Sequence, residues 1–294
     1  MNKELVLKIQ SAVVDMMSKV KYTEDGHTYE RVSDGTWLQG ISTVSNIMPK
    51  DWLSAWGAKE AVKFLGYSDF PEYTENAKKM LEKLSLIAGM QGEDGVKAYL
   101  ELLKEAKGAS ARKSKEALLD GKAGHLWCET YVKDKIRGTD IPKYPDGMLE
   151  RPLKQFVEWA DKEVDYWILS EARVAYPEKG YAGTLDAVAV MKNGRSAVID
   201  FKFASHISED YNLQLAGYAS TFEPYEIKID DRIIVRLPKT LTMQEWVKAE
   251  KKYRIVENNI EVVVVDTNYE FDRDAFVGAL PVKKWINIML NRNK

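Results

Sequence analysis

The sequence predicts an α/β fold, a mixed central β-sheet flanked by helices, on three observations. Three β-branched, apolar runs follow one another closely: WILSEARVAY, YAGTLDAVAV and SAVIDFKFA. Stretches with helical periodicity precede and follow them, the arrangement of strands packed between helices. Hydrophobic residues make up 45% of the 294 and charged residues 30%, enough apolar material for a large core and too much for a disordered chain.

Each element follows in order. MNKELVLKIQSAVVDMMSKV reads as an amphipathic helix; it lacks the unbroken apolar core and cleavage site of a signal peptide. Residues 21–50 read as a β-hairpin region, KYTEDGHTYERV, then an Asp34-Gly35 turn, then TWLQGISTV. Residues 51–106 read as helical, with Trp52, Trp56 and Phe64 among the apolar positions and Gly66, Pro71, Gly89 and Gly108 as punctuation. Long helices are expected at 110–136 and 149–165. After the three strands comes a helix from about Glu209 to Phe222, with Ser208 as N-cap and Glu209 and Asp210 suited to the positive end of its dipole. DRIIVRLP and IEVVVVDT give two more strands. FDRDAFVGALPVKKWINIML gives a closing helix that Pro281 kinks or splits. The chain thus divides into an N-terminal hairpin and helical elaboration packed on the core, 1–108, and a core, 109–294.

The formal net charge of −2 does not mark a nucleic-acid-binding protein, so any DNA contact must come from a local basic patch. The candidate patch is Lys107, Arg112, Lys113, Lys115 and Lys122, which reads either as a solvated helix face or as a track for phosphates. No apolar run approaches the length that crosses a bilayer. Cys128 has no cysteine to pair with in the chain, which points to a reducing, cytoplasmic setting. His27 and His206 read as surface residues.

The chemistry lies between Gly183 and Tyr218. Asp186 sits inside the apolar run LDAVAV, and Asp200 and Lys202 sit inside VIDFKFA; ionised groups in a core strand are costly unless paired or bound to metal. Lys192-Asn193-Gly194 suits a three-residue loop with Gly194 left-handed, which pairs Met191 with Arg195. Counting back, Asp186 falls opposite Asp200 and Thr184 opposite Lys202, on one face. A two-residue Asn-Gly loop would set Asp186 opposite Phe201 and break the cluster. Two adjacent carboxylates repel, and a hard divalent cation, Mg²⁺ or Mn²⁺, relieves that repulsion and activates water against a phosphodiester. Lysine then stabilises the developing charge.

These residues resemble the PD-(D/E)XK nuclease superfamily, whose hallmark is an acidic residue followed by (D/E)-x-K on the next strand, here Asp186 with Asp200-Phe201-Lys202. Gln214-Leu215-Ala216-Gly217-Tyr218 resembles the Q-x-x-x-Y motif of the RecB-like exonuclease branch, and Gly121-x-x-x-His125-x-x-x-Glu129 resembles its G-x-x-x-H-x-x-x-E helix. The resemblance covers about residues 109–237. It implies a restriction-endonuclease-like core and a Mg²⁺- or Mn²⁺-dependent deoxyribonuclease. The implied catalytic residues are Asp186, Asp200, Lys202, Gln214, Tyr218 and Glu171. The implied metal ligands are His125, Asp186, Asp200 and the Phe201 backbone carbonyl. Glu129 reads as a further ligand or as the partner of a lysine or arginine, and Glu171 as catalytic or as part of a core-edge salt bridge. Gln214 and Tyr218 read as contacts to DNA near the scissile phosphate or as one half-buried helix face. Arg112, Lys113, Lys115 and Lys122 would bind DNA. Some relatives carry four cysteines for an iron–sulfur cluster; the lone Cys128 leaves no place for one. The implied role is an exonuclease in phage recombination or DNA processing, in the host cytoplasm, alongside a recombination or single-strand annealing protein. A structure- or sequence-specific endonuclease and a catalytically silent DNA-binding protein are the alternatives.

Overall fold

The computed structural model describes residues 3–24, 28–48, 50, 52–67, 74–247 and 252–291; His27 and Pro71 fall outside them. The chain forms two compact units, one of Met1–Met48 with Gly121–Lys294 and one of Pro49–Asp120. The division differs from the expected 1–108 and 109–294, because the N-terminal strands belong to the main sheet.

The smaller unit holds α3 (Trp52–Phe64), α4 (Thr74–Ala88), α5 (Gly92–Lys107) and the first turns of α6 (Ala109–Arg137). Lys113 Nζ donates to Glu60 Oε2 at 2.8 Å, and Arg112 donates to the Glu105 carbonyl at 2.7 Å while lying over the Phe64 ring.

The larger unit begins with α1 (Lys3–Lys19), β1 (Val20–Thr23), β2 (Thr28–Arg31), β3 (Trp37–Gly40) and α2 (Ile41–Ser45). The segment expected to continue as strand, ISTVS, is helical: Ile41 and Val44 are both buried, a spacing of three that a helix, not a strand, brings to one side. Beyond α6 come α7 (Glu150–Glu163), β4 (Val164–Tyr176), β5 (Tyr181–Met191), β6 (Ser196–Lys202), α8 (Asp210–Ser220), β7 (Asp231–Arg236), β8 (Thr242–Val247), β9 (Lys252–Glu257), β10 (Glu261–Val264) and α9 (Tyr269–Asn291). Pro281 sits inside α9 without splitting it. Glu209, not Ser208, caps α8, and no side chain bonds the cap. The β8–β9 hairpin forms its own two-stranded sheet and was not expected from the sequence.

The main sheet is mixed: β6–β7 and β3–β5 are parallel and the other pairs antiparallel. Helices cover both faces. Alternate residues Val188, Val190, Val198 and Ile234 pack under α1, α2, α8 and α9, while Ala189, Ala197, Ile199, Phe201, Ile233 and Val235 pack under α6 and α7. Phe201 meets Phe156 of α7 edge-on at 5.2 Å, and each such fully buried ring stabilises the fold by about 1.5–3 kcal/mol. No helix is long and apolar enough to cross a membrane among the described residues.

One irregularity positions everything that follows. Along one edge β5 pairs with β4 over its whole length. The other edge is shared: β3 takes Tyr181 and Ala182, and β6 takes Ala187 to Val190. Residues 183–186 have no strand partner on that side among the described residues.

Candidate active site

The hairpin turn fixes the register. Gly194 has φ +84°, its N–H donates to the Met191 carbonyl, and Met191 N–H donates to the Arg195 carbonyl, as the three-residue loop requires. The ladder ends at Ala187 opposite Ile199. One row on, Asp186 faces Asp200 across the opening strands, and its Oδ2 accepts the Phe201 N–H at 2.6 Å in place of a ladder bond. On the β4 side Glu171 lies between the pairs Ser170–Ala187 and Ala172–Leu185, so it falls opposite Asp186. Glu171, Asp186 and Asp200 therefore form one row across three adjacent strands. Glu171 has φ +46°, a left-handed conformation that a non-glycine strand residue adopts only when its surroundings enforce it.

The row crowds carboxyl groups together, which disfavours their charged forms. Burial, then Asp200, pushes the Asp186 carboxyl well above the usual carboxylate range; Lys202 opposes this. Burial, then Glu129, pushes Glu171 up to about 7. Lys202 Nζ lies 2.7 Å from Asp200 Oδ2, both side chains largely buried, and this oxygen has the ion pair but no hydrogen bond. Burial works against the Lys202 ammonium, yet Asp200 and Asp186 outweigh it and hold the lysine charged.

A directed chain of donors holds that ammonium. Lys202 Nζ donates to Gln214 Oε1 (3.0 Å), Gln214 Nε2 donates to Tyr218 Oη (3.3 Å), and Tyr218 Oη donates to the Thr184 carbonyl (2.7 Å). The amide of Gln214 must face the lysine with its oxygen, so the chain runs only one way. Its last acceptor is in the unpaired stretch of β5, which Tyr218 closes. Gly183 makes room: a Cβ there would stand 2.9 Å from the Tyr218 ring. Tyr218 and Gln214 are buried, at 3% and 9% exposure, and their hydrogen bonds run to each other, to Lys202 and to the Thr184 carbonyl.

His125 approaches from α6, with Nδ1 3.8 Å from Asp186 Oδ2. Burial lowers its pKa, offset by Asp200 and reinforced by Lys202 and Lys239, so the ring is neutral at neutral pH. Gly124 sets the approach: a Cβ there would lie 2.2 Å from the Phe203 ring. Glu129 is ion-paired with Lys133, one of the two expected readings. Lys239, half-buried after β7 and beside Gly121, belongs to the site and was missed in the sequence, where it sits alone behind Pro238. Arg112 and Lys113 are engaged within the smaller unit, as described above; Lys115 and Lys122 are exposed, and so is His206.

Among the described residues no three His, Cys, Asp or Glu side chains are gathered closely enough to hold a metal ion. The donor chemistry nonetheless suits one. Asp186 and Asp200 offer hard oxygens, one of them a buried atom without a hydrogen bond, and Lys202 alone does not balance the carboxylate row.

No family model matches the chain, and no curated protein matches it. Among solved structures, the crystal structure of SSO0001 is similar at 12% identity and a TM-score of 0.30, covering 95% of this chain and 84% of that one. A likeness of that size supports no reading of fold or activity.

Proposed function

We propose that the chain is a metal-dependent deoxyribonuclease of the PD-(D/E)XK superfamily, of the RecB-like exonuclease branch, acting on linear DNA in phage recombination or processing. The observation that carries the reading is the row of Glu171, Asp186 and Asp200 with Lys202 ion-paired at its end. Asp186, Asp200, the Phe201 carbonyl and His125 would hold Mg²⁺ or Mn²⁺. When bound, the ion supplies Lewis-acid polarisation of a phosphate and a bound water of lowered pKa.

The chain's own residues do the rest. Lys202, fixed by Gln214, presents a permanent ammonium where charge builds on the phosphoryl oxygens, a preorganised electrostatic contribution. Glu171, near neutrality in its pKa, is suited to take a proton from the attacking water's side of the site. Neutral His125 keeps a lone pair for a ligand role. Lys239 adds a second positive charge near His125 for the DNA backbone.

The test is a digest of end-labelled single- and double-stranded linear DNA and of closed circles, with Mg²⁺ and with EDTA. Mg²⁺-dependent loss of linear DNA with circles intact is the expected result. Cleavage of circles would assign an endonuclease, and binding without cleavage a silent DNA-binding protein.

A further inference from the structure

A groove of about 870 Å³ opens on the larger unit between β3 and the outer half of α9. Leu280, Pro281, Lys284, Asn287 and Ile288 of α9 form one wall; their spacing puts them on one helix face. Trp37 on the opposite wall is 65% exposed, an unusual position for the largest apolar side chain. Among the described lining residues there are two lysines, Lys179 and Lys284, and no carboxylate, in a chain of net charge −2. Lys179 is shared with Glu223 at 3.8 Å; Lys284 has no ion pair among the described residues. Gln39, also in the wall, donates to the Leu280 carbonyl and leaves its buried Oε1 without a partner.

The groove and the candidate active site lie on one strand. Gly180 lines the groove, and Asp186 is six residues further along, about 20 Å of extended chain. The intervening edge of β5 carries no strand among the described residues; Ile41 and the Tyr218 ring pack on it at Gly183, so a bound strand would pass over these side chains.

We propose that this groove binds an unpaired DNA strand leading to the active site, with Trp37 stacking on a base and Lys284 and Lys179 holding phosphates; this rests on the nuclease reading. An exposed indole stacks on a base only where that base is unpaired, and such stacking is indifferent to sequence. The volume is that of a small-ligand pocket, a short stretch of one strand.

The experiment is fluorescence anisotropy of full-length protein with labelled oligo(dT) of about 20 residues, in EDTA. Trp37→Ala should weaken binding about tenfold or more, and Trp37→Phe should recover most of it. Lys284→Ala should reduce the slope of log K against log salt by about 0.7. Unchanged affinity in both Trp37→Ala and Lys284→Ala overturns the proposal. So does a Trp37→Ala variant that changes self-association in sedimentation but not DNA affinity, which assigns the groove to a second copy. EDTA removes metal-dependent cleavage, so the two readings separate: DNA digestion with Trp37-independent binding defeats only the groove, and Trp37-dependent binding without digestion defeats only the nuclease.

Discussion

Two buried ion pairs among the described residues are built differently. Arg232 of β7 meets Asp272 of α9 at 2.6 Å, with both side chains nearly inaccessible. Its second nitrogen donates to the Thr267 carbonyl, and the Thr267 hydroxyl donates to the same carboxylate. Charge and hydrogen bonds balance, and the pair staples a helix to the sheet. Lys202 and Asp200 are equally close, but two further carboxylates stand in their row and one Asp200 oxygen has no hydrogen bond. A satisfied buried pair serves structure; an imbalanced one is held in place by the rest of the fold and is available for chemistry.

Arg232→Ala should break the contrast hardest. It strands Asp272 in the core and should cost about 3–5 kcal/mol of stability in chemical denaturation, with no recovery on adding Mg²⁺. Lys202→Ala removes the counter-charge at the other pair. It should lower the cleavage rate at least about a hundredfold. It should also destabilise the protein in EDTA and regain that loss in Mg²⁺, since a ligand bound only by the folded state stabilises it. If Mg²⁺ rescues both variants or neither, the two pairs are not different in kind. Asp186→Asn should abolish the Mg²⁺-dependent rise in Tm while leaving the protein folded; a retained rise would place the ion elsewhere. Tyr218→Phe should have the smallest effect, about 1 kcal/mol of stability for its bond to Thr184 and roughly tenfold in rate as Lys202 loosens. An unchanged rate would show that Gln214 positions the lysine unaided.

The alternation of Ile199, Phe201 and Phe203 against Asp200 and Lys202 was legible because a strand has period two and Gly194 pins the loop. Gln214 and Tyr218 were legible as a helix face, but helical spacing gives direction and not depth, so their burial was not. The left-handed Glu171 was invisible because nothing in SEARVAY departs from strand composition. The break in β5 was out of reach for another reason: it exists because β3, distant in sequence, supplies the neighbouring segment. The β8–β9 hairpin has alternating residues but no Asn-Gly or Asp-Gly turn to announce it.

The parallel pairing of Gln39 with Tyr181 has a consequence for how the chain reaches its native state. In sequence, the smaller unit falls between those two partners. Its helices are complete well before Tyr181 leaves a ribosome, so β1, β2 and β3 must wait with one sheet edge unsatisfied until β5 is made. Loop-closure entropy makes such long-range pairing slow. In refolding followed by circular dichroism, the helical signal should therefore return first, and the pairing of β3 with β5 should lag behind it.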